Sequence, residues 1–296
     1  MMGARGRRVL VWLLLALLGS LALVLGIRLR PVPKVTIPSL PPQSLVVSYL
    51  KVGQGEASWV KTPDGRFLVI GAGPPGAGGH VAESLAAAGA QQIDLLILPY
   101  PYNESLGGAQ ELIARFPIKA ALELGWEQVN QRQQETRDAL LKRRVPIQIG
   151  RAGQAFELGP GGRLDVLFPH LPFVARTPAA ANNALVLRLT WGNTHFLWES
   201  GLERAGEQAL LALGQELSAD VLRVARFGNA GASSPELLHL VEPQFVVVSV
   251  DDKTGALPAL STLERLRATG ATVLRTDTQP RDLFFFSDGQ QVTQAL

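Results

Sequence analysis

The sequence predicts one α/β domain behind a single membrane-crossing segment, and three observations predict it. Residues 95–98 (LLIL) form a short apolar run that enters a polar turn and then Gly107-Gly108 opening a helix, the strand–turn–helix alternation of α/β folds. Residues 58–61 and 66–70 flank Pro63-Asp64-Gly65, whose turn chemistry makes them a hairpin. Residues 9–27 (VLVWLLLALLGSLALVLGI), from Val9 to Ile27, carry no charge, and at 1.5 Å per residue they span roughly 28 Å, close to a bilayer's hydrocarbon core. A chain of 296 residues without a repeat of solenoid period is long enough for one large domain with a sizeable core.

The apolar run is bracketed by Arg5, Arg7 and Arg8 on one side and by Arg28 and Arg30 on the other. It exceeds the ~7–15 residues of a signal-peptide core, so an uncleaved anchor is expected; cleavage after Gly19, Ser20 or Ala22, with secretion, is the alternative. Arg7-Arg8 reads as a positive-inside flank rather than a twin-arginine signal. The N-terminal basic excess places the N-terminus in the cytoplasm and the domain outside. Residues 30–43 (RPVPKVTIPSLPPQ) hold five prolines and are expected to form an extended spacer before a domain at 44–296.

Five of the 28 Lys and Arg fall in residues 1–30, where there is no acid, which leaves 23 basic against 25 acidic residues in the remainder. A soluble part near neutrality gives no general electrostatic case for nucleic acid, which needs a clustered basic face. The absence of Cys excludes disulfides, zinc–thiolate sites and thiol nucleophiles.

Within the domain, residues 44–50 alternate into a first strand, which a tight Val52-Gly53-Gln54-Gly55 turn joins to the hairpin. Residues 71–79 (GAGPPGAGG) could be a phosphate cradle, but the proline pair removes two N–H donors and no Lys-Ser/Thr follows, so a loop is expected. Helix 80–88, strand 93–98, helix 107–116 and strand 119–123 come next. Helix 126–143 is amphipathic, and Gln128, Gln131, Arg132, Gln133, Gln134 and Arg137 form either a solvated face or a partner surface. Short strands at 146–149, 155–158 and 164–168 precede a buried hairpin over 182–198. Helix 206–213, strand 220–224, strand 245–250, helix 260–268 and strands 271–275 and 282–286 close the second half. His80, His170, His195 and His239 are scattered without ligand spacing and read as ordinary structural residues.

The segments VGQGE (52–56), TPDGRFLVIGAG (62–73), LLILPYPYNESLGG (95–108) and NNALVLRL (182–189) together resemble a metallo-β-lactamase-type domain, most closely the version that ends the ComEC competence family. That resemblance covers nearly the whole chain from residue 44 and implies a four-layer αββα sandwich of two similar halves with a site at one edge between them. In the family, T-H-P-H-A-D-H-x-G-G holds a two-zinc centre; here Tyr100, Tyr102, Glu104 and Ser105 occupy the His, His, Asp and His slots. The family's I-D-A-G reads Ile70-Gly71-Ala72-Gly73, and V-G-Q-G-D ends in Glu56. The metal-bridging Asp of L-L-T-G-D is Gly201, with Glu199 two residues before it and expected to point the same way. P-H-H-G-S has become Ala225-Arg226-Phe227-Gly228-Asn229, and Leu257 stands in place of the last His. Zinc needs imidazole and carboxylate ligands at about 2.0–2.2 Å, and a phenol of pKa about 10 is a poor substitute at neutral pH.

Zinc is therefore expected to be lost, leaving no metal, cofactor or catalytic residue and a vestigial pocket of Tyr100, Tyr102, Glu104, Ser105, Glu199, Gly201, Arg226, Phe227 and Leu257. The resemblance then implies a membrane-anchored pseudoenzyme, a binding module in DNA uptake with a protein partner. The rings of Tyr100, Tyr102 and Phe227 could stack bases while Arg226 contacts phosphate, or the rings and an Arg226 pair with Glu104 or Glu199 simply fill the cavity. The alternative function is a residual or altered hydrolase, phosphodiesterase-like, although Ser105 has no His near it in sequence.

Overall fold

The computed structural model describes residues 35, 37–127, 130–174, 180–251 and 255–295. The expected anchor at 9–27 lies outside them, and among the described residues no helix is long and apolar enough to cross a membrane.

β1 (Leu45–Tyr49), β2 (Ala57–Lys61) and β3 (Phe67–Ala72) form an antiparallel meander. β3 continues in parallel register into β4 (Leu95–Leu98), β5 (Ala121–Glu123) and β6 (Ile147–Ile149). Parallel neighbours need crossover helices, supplied by α1 (Gly78–Ala87), by α2 (Asn103–Leu106) with α3 (Ala109–Arg115), and by α4 (Gln131–Lys142). The second half repeats the plan. β7 (Ala155–Glu157), β8 (Gly162–Phe168), β9 (Val186–Trp191) and β10 (Thr194–Trp198) are antiparallel. β11 (Val221–Arg223), β12 (Phe245–Val248) and β13 (Thr272–Arg275) then run parallel, with α5 (Arg204–Leu211), α6 (Pro235–Val241) and α7 (Leu260–Ala268) between them.

The chain is thus α/β with two mixed sheets, eight-stranded and seven-stranded among the described residues. Strand alternation gives each sheet two apolar faces. Leu45, Val47 and Tyr49 of β1 meet Leu187, Phe196 and Trp198 in a core between the sheets. Val46 and Leu96 face Val81, Leu112 and Leu140 of the helices on the first sheet's outer side, and Ile37 and Leu40 of the proline-rich lead rest on that same core. Leu222 and Val246 face Leu210, Leu237 and Leu266 on the far side of the second sheet.

Three expectations are corrected. The 282–286 strand closes the first sheet, not the second half: β14 (Leu283–Ser287) pairs with β1 and with a terminal β15 (Val292–Gln294). Its LFFFS sequence has apolar residues on both faces and needs a strand covered on both faces, which it finds one place in from the sheet edge. Phe285 meets Tyr49 edge-on at 5.7 Å and Phe245 at 5.3 Å between the sheets, while Phe284 meets Trp59 at 5.9 Å on the helix side. The helix expected at 126–143 begins at Gln131, where the Asn130 side chain accepts the Gln133 N–H at 2.9 Å and caps it. On that helix Gln133 is buried and Arg137 pairs with Glu123 at 2.7 Å, so neither belongs to an outer face. The helix expected at 107–116 runs over Ala109–Arg115 and is preceded by a separate turn, Asn103–Leu106, because Gly107 and Gly108 between them pass so close to the 72–78 segment that a Cβ on Gly107 would stand 2.1 Å from Pro75 N.

Phe285→Ala should cost about 3–5 kcal/mol of unfolding free energy, read by urea denaturation; a loss under about 1 kcal/mol would contradict the burial of Phe285 between the sheets.

Candidate functional site

The loops that follow β1, β3, β4, β10, β11 and β12 converge at one end of the two sheets. Between them lies a cleft of about 320 Å³ lined by Gln54, Asn103, Glu104, Arg226, Phe227, Asn229 and Leu257. Tyr100, 1% exposed and not itself part of that lining, forms the buried floor of the site within electrostatic reach of Glu104 and Arg226, and its ring lies against Gly201 so closely that a Cβ there would stand 3.1 Å from Tyr100 Cδ1. Tyr102 meets Tyr100 edge-on at 6.0 Å. Burial raises the pKa of both phenols, Tyr100's well above the usual value.

Arg226 crosses the cleft mouth. Its Nη1 reaches Glu104 Oε1 at 3.2 Å and its Nε donates to Glu203 Oε1 at 3.0 Å. The expected alternative pairing with Glu199 is not made: Glu199 Oε2 accepts from Ala225 N at 2.8 Å and from Ser233 Oγ at 2.9 Å. Nor does Glu199 share a direction with Gly201 by strand alternation, because β10 ends at Trp198 and Ser200 turns left-handed, φ 50°. Arg226 and Phe227 are left-handed in succession, φ 45° and 58°, a backbone that costs of order 1–3 kcal/mol per residue and persists only where the surroundings enforce it. Ser105 is buried with an unpartnered hydroxyl, Phe227 is 4% exposed, and Leu257 lies at the rim.

Beneath the floor the two sheets are joined by charge. Glu56, preceding β2, stands 3.4 Å from Arg223, the last residue of β11, and both side chains are buried. Arg223 Nη1 also donates to the Ser200 carbonyl at 3.3 Å. Arg223 Nε and Nη2, both Glu56 carboxylate oxygens and the Tyr49 and Tyr100 hydroxyls have no hydrogen-bond partner among the described residues. Burial pushes the Glu56 pKa up and the guanidinium opposes that shift. A Cβ on Gly71 would stand 2.2 Å from the Glu56 carbonyl oxygen, so the backbone of this turn occupies the space a larger residue at 71 would need.

A second buried acid lies beside Glu199. Glu207 Oε1 accepts Ser234 N at 2.9 Å, and burial raises its pKa. Burial, reinforced by Glu207, pushes Glu199 up to about 8. The 230–233 loop these acids hold is clamped from outside by Arg265, which donates to the Ala230, Ala232 and Ser233 carbonyls at 3.1, 2.8 and 3.2 Å.

This architecture recurs among solved structures. The diiron β-hydroxylase CmlA from Streptomyces venezuelae superposes with a TM-score of 0.54 at 9% identity, over 86% of this chain and 55% of that one. Igni18, a metallo hydrolase from Ignicoccus hospitalis KIN4/I, superposes with a TM-score of 0.50 at 14% identity, over 82% and 98%. The chain has the metallo-β-lactamase fold. It is also distantly homologous to ComE operon protein 3 of Bacillus subtilis (strain 168), 26% identical over an alignment of 250 residues that covers 78% of this chain. The alignment spans 32% of that relative's length. No family model matches the chain.

The zinc that the resemblance implies does not fit these residues. Tyr100 is a buried neutral phenol, Gly201 and Leu257 offer no donor atom, and Arg226 brings a cation held by two carboxylates. Glu199 is committed to Ala225 and Ser233. Among the described residues no three His, Cys, Asp or Glu side chains could share a metal ion. His80 instead meets Asp282 at 2.9 Å, and His195 bonds Thr190 at 3.2 Å.

Arg223, Glu207 and Glu203 escaped the sequence reading, as did the pairing role of Glu56. The one signal was a charged residue inside the apolar run 221–225 (VLRVA), which marks a strand-end cation turned inward.

Arg223→Met alone should cost about 3–5 kcal/mol, because it leaves Glu56 buried and unpaired, and Glu56→Leu added to it should restore at least half. A double-mutant cycle without coupling would contradict the pairing. Glu199, with its folded pKa raised above the ordinary 4.5, contributes stability that is present below that value and is lost as pH rises through about 8. His80, raised chiefly by its hydrogen bond to Asp282, adds a loss of the same sign. Glu199→Gln should flatten the fall in melting temperature between pH 6 and 9 measured by calorimetry, and an unchanged slope would refute the assignment.

Proposed function

We propose that the chain is a membrane-anchored, non-hydrolytic relative of the ComEC-type metallo-β-lactamase domain, a binding module that serves DNA uptake by engaging a protein partner through its cleft. The observation that carries this reading is the filled floor: the Tyr100 ring occupies the space beside Gly201 where a bridging carboxylate would stand. A zinc centre needs imidazole and carboxylate donors around an open position for water, and Tyr100, Gly201, Arg226, Phe227 and Leu257 supply neither donor type. Among the described residues no base is hydrogen-bonded to the Ser105 hydroxyl.

The homology to ComE operon protein 3 supports the competence setting. Within the cleft, Glu104 and Glu203 outnumber Arg226, and Tyr100 and Phe227 are buried. That balance favours a polar protein segment over a phosphate backbone, which needs uncompensated cations, and over bases, which need exposed ring faces.

The test is metal stoichiometry. The purified chain, exposed to zinc and manganese and freed of excess by gel filtration, should retain close to no metal and show no phosphodiesterase turnover. One or two bound equivalents per chain would overturn the reading. Turnover abolished by Glu104→Gln or Ser105→Ala would establish the altered hydrolase instead.

A further inference from the structure

The end of the domain opposite the cleft carries a feature the proposed function does not use. α3 and α4 both start at the cleft, where Gly108 N donates to Gly73 O at 3.2 Å and Asn130 Nδ2 donates to the Pro101 carbonyl, and both finish at the far end. There Arg143 Nη2 donates to the Ala114 carbonyl at 3.2 Å and ties the two helix ends together. Arg115, Lys142, Arg143 and Arg144 are all exposed at this corner, and among the described residues none has a carboxylate at ion-pair distance. Leu141 beside them is 60% exposed. On this helix layer Asp94 is already paired with Lys119 at 2.6 Å, and α1 ends in uncharged Ala86 and Ala87. A cation at a helix C-terminus is favoured by the helix dipole, which accounts for Lys142 but not for four uncompensated charges around an exposed leucine.

The chain enters the domain at this same end. β1 begins at Leu45, opposite Ser287 and next to Lys61, and Lys61 Nζ reaches the Ala88 carbonyl at the end of α1 at 2.9 Å. Ile37 and Leu40, just before it, rest on the core of the first sheet's outer, helix-covered side. Only residues 28–36 separate the apolar run 9–27 from Ile37, and nine residues reach at most about 30 Å.

We infer that the corner formed by Arg115, Lys142, Arg143, Arg144 and Leu141 docks on the anionic headgroups of the membrane that holds the anchor, so that the cleft faces away from the bilayer. The inference rests on the anchor reading above. Clustered Lys and Arg beside an apolar side chain are the chemistry that an anionic lipid surface selects, and a short tether makes even weak attraction effective.

The absence of cysteine makes single-site labelling direct. The full chain with Ala114→Cys, or with Gln131→Cys at the cleft end of α4, is labelled with a fluorophore and reconstituted into nanodiscs containing nitroxide-headgroup lipid. With 30% phosphatidylglycerol the probe at 114 should be quenched at least threefold more than the probe at 131. The difference should vanish in phosphatidylcholine discs, in the K142E/R143E/R144E variant and in K142Q/R143Q/R144Q, which guards against a folding defect in the first. Equal quenching at both positions, or quenching indifferent to lipid charge and to these variants, overturns the docking while leaving the anchor intact. Failure of the chain to enter discs overturns anchor and docking together. Charge-dependent binding of duplex DNA at this corner without lipid quenching reassigns it to nucleic acid and overturns the proposal.

Discussion

The constraint on which the rest of the site depends is the buried contact between Glu56 and Arg223. It joins the turn before β2 in one sheet to the end of β11 in the other, at 3.4 Å and without solvent. Desolvating two charges costs several kcal/mol per ion and is repaid only partly by their attraction. A pair retained on those terms fixes position more than it adds stability. Here it fixes the register between the sheets where their loops must meet. Trp198, which donates to Ser58 Oγ at 3.3 Å, and Tyr49, 5.8 Å from Trp198, extend the same seam into the apolar core. The Arg223 guanidinium also holds the Ser200 carbonyl, and Ser200 in turn accepts Arg226 N at 3.1 Å. One interior cation thereby sets the path of both loops that form the cleft's second wall.

The duplicated plan explains why those loops meet at all. Each sheet passes from antiparallel to parallel pairing, and parallel strands deliver all their carboxyl ends to the same side. The first sheet is finished only by β14 and β15, so the C-terminal residues lock the N-terminal half. Helix starts lie near the cleft and helix ends far from it, which separates a cleft of mixed, paired charge from a corner of unpaired cations. The two ends of the domain therefore differ in electrostatics for a topological reason.

Much of this was legible in the sequence wherever a residue's burial follows from its immediate neighbours. The hairpin around Pro63-Asp64-Gly65, the β4 run and the α7 helix at 260–268 follow from turn chemistry and periodicity alone. The spaced VGQGE, IGAG and NNALVLRL segments made the fold legible, and Tyr100, Tyr102, Glu104, Arg226 and Phe227 fall around one cleft and its floor. Partners distant in sequence were not legible. Nothing local in LFFFS says that it pairs with β1, where Leu283 stands opposite Tyr49 and Ser287 opposite Leu45. Glu199 looked like a strand residue because the left-handed turn at Ser200 leaves no sequence mark. Arg223 looked like an interruption because its carboxylate lies on the other sheet.

The strained 226–227 backbone gives the last step. Two successive non-glycine residues in the left-handed region relax unless they are held. They are held here by Glu104 and Glu203 on the Arg226 side chain, by Ser200 on its N–H, and by Glu199 on Ala225 N just before them. None of these contacts needs a metal. The loop is held by ion pairs and a buried carboxyl, and the result is a cleft wall fixed before any ligand arrives. Rigidity of that kind lowers the ordering cost of association.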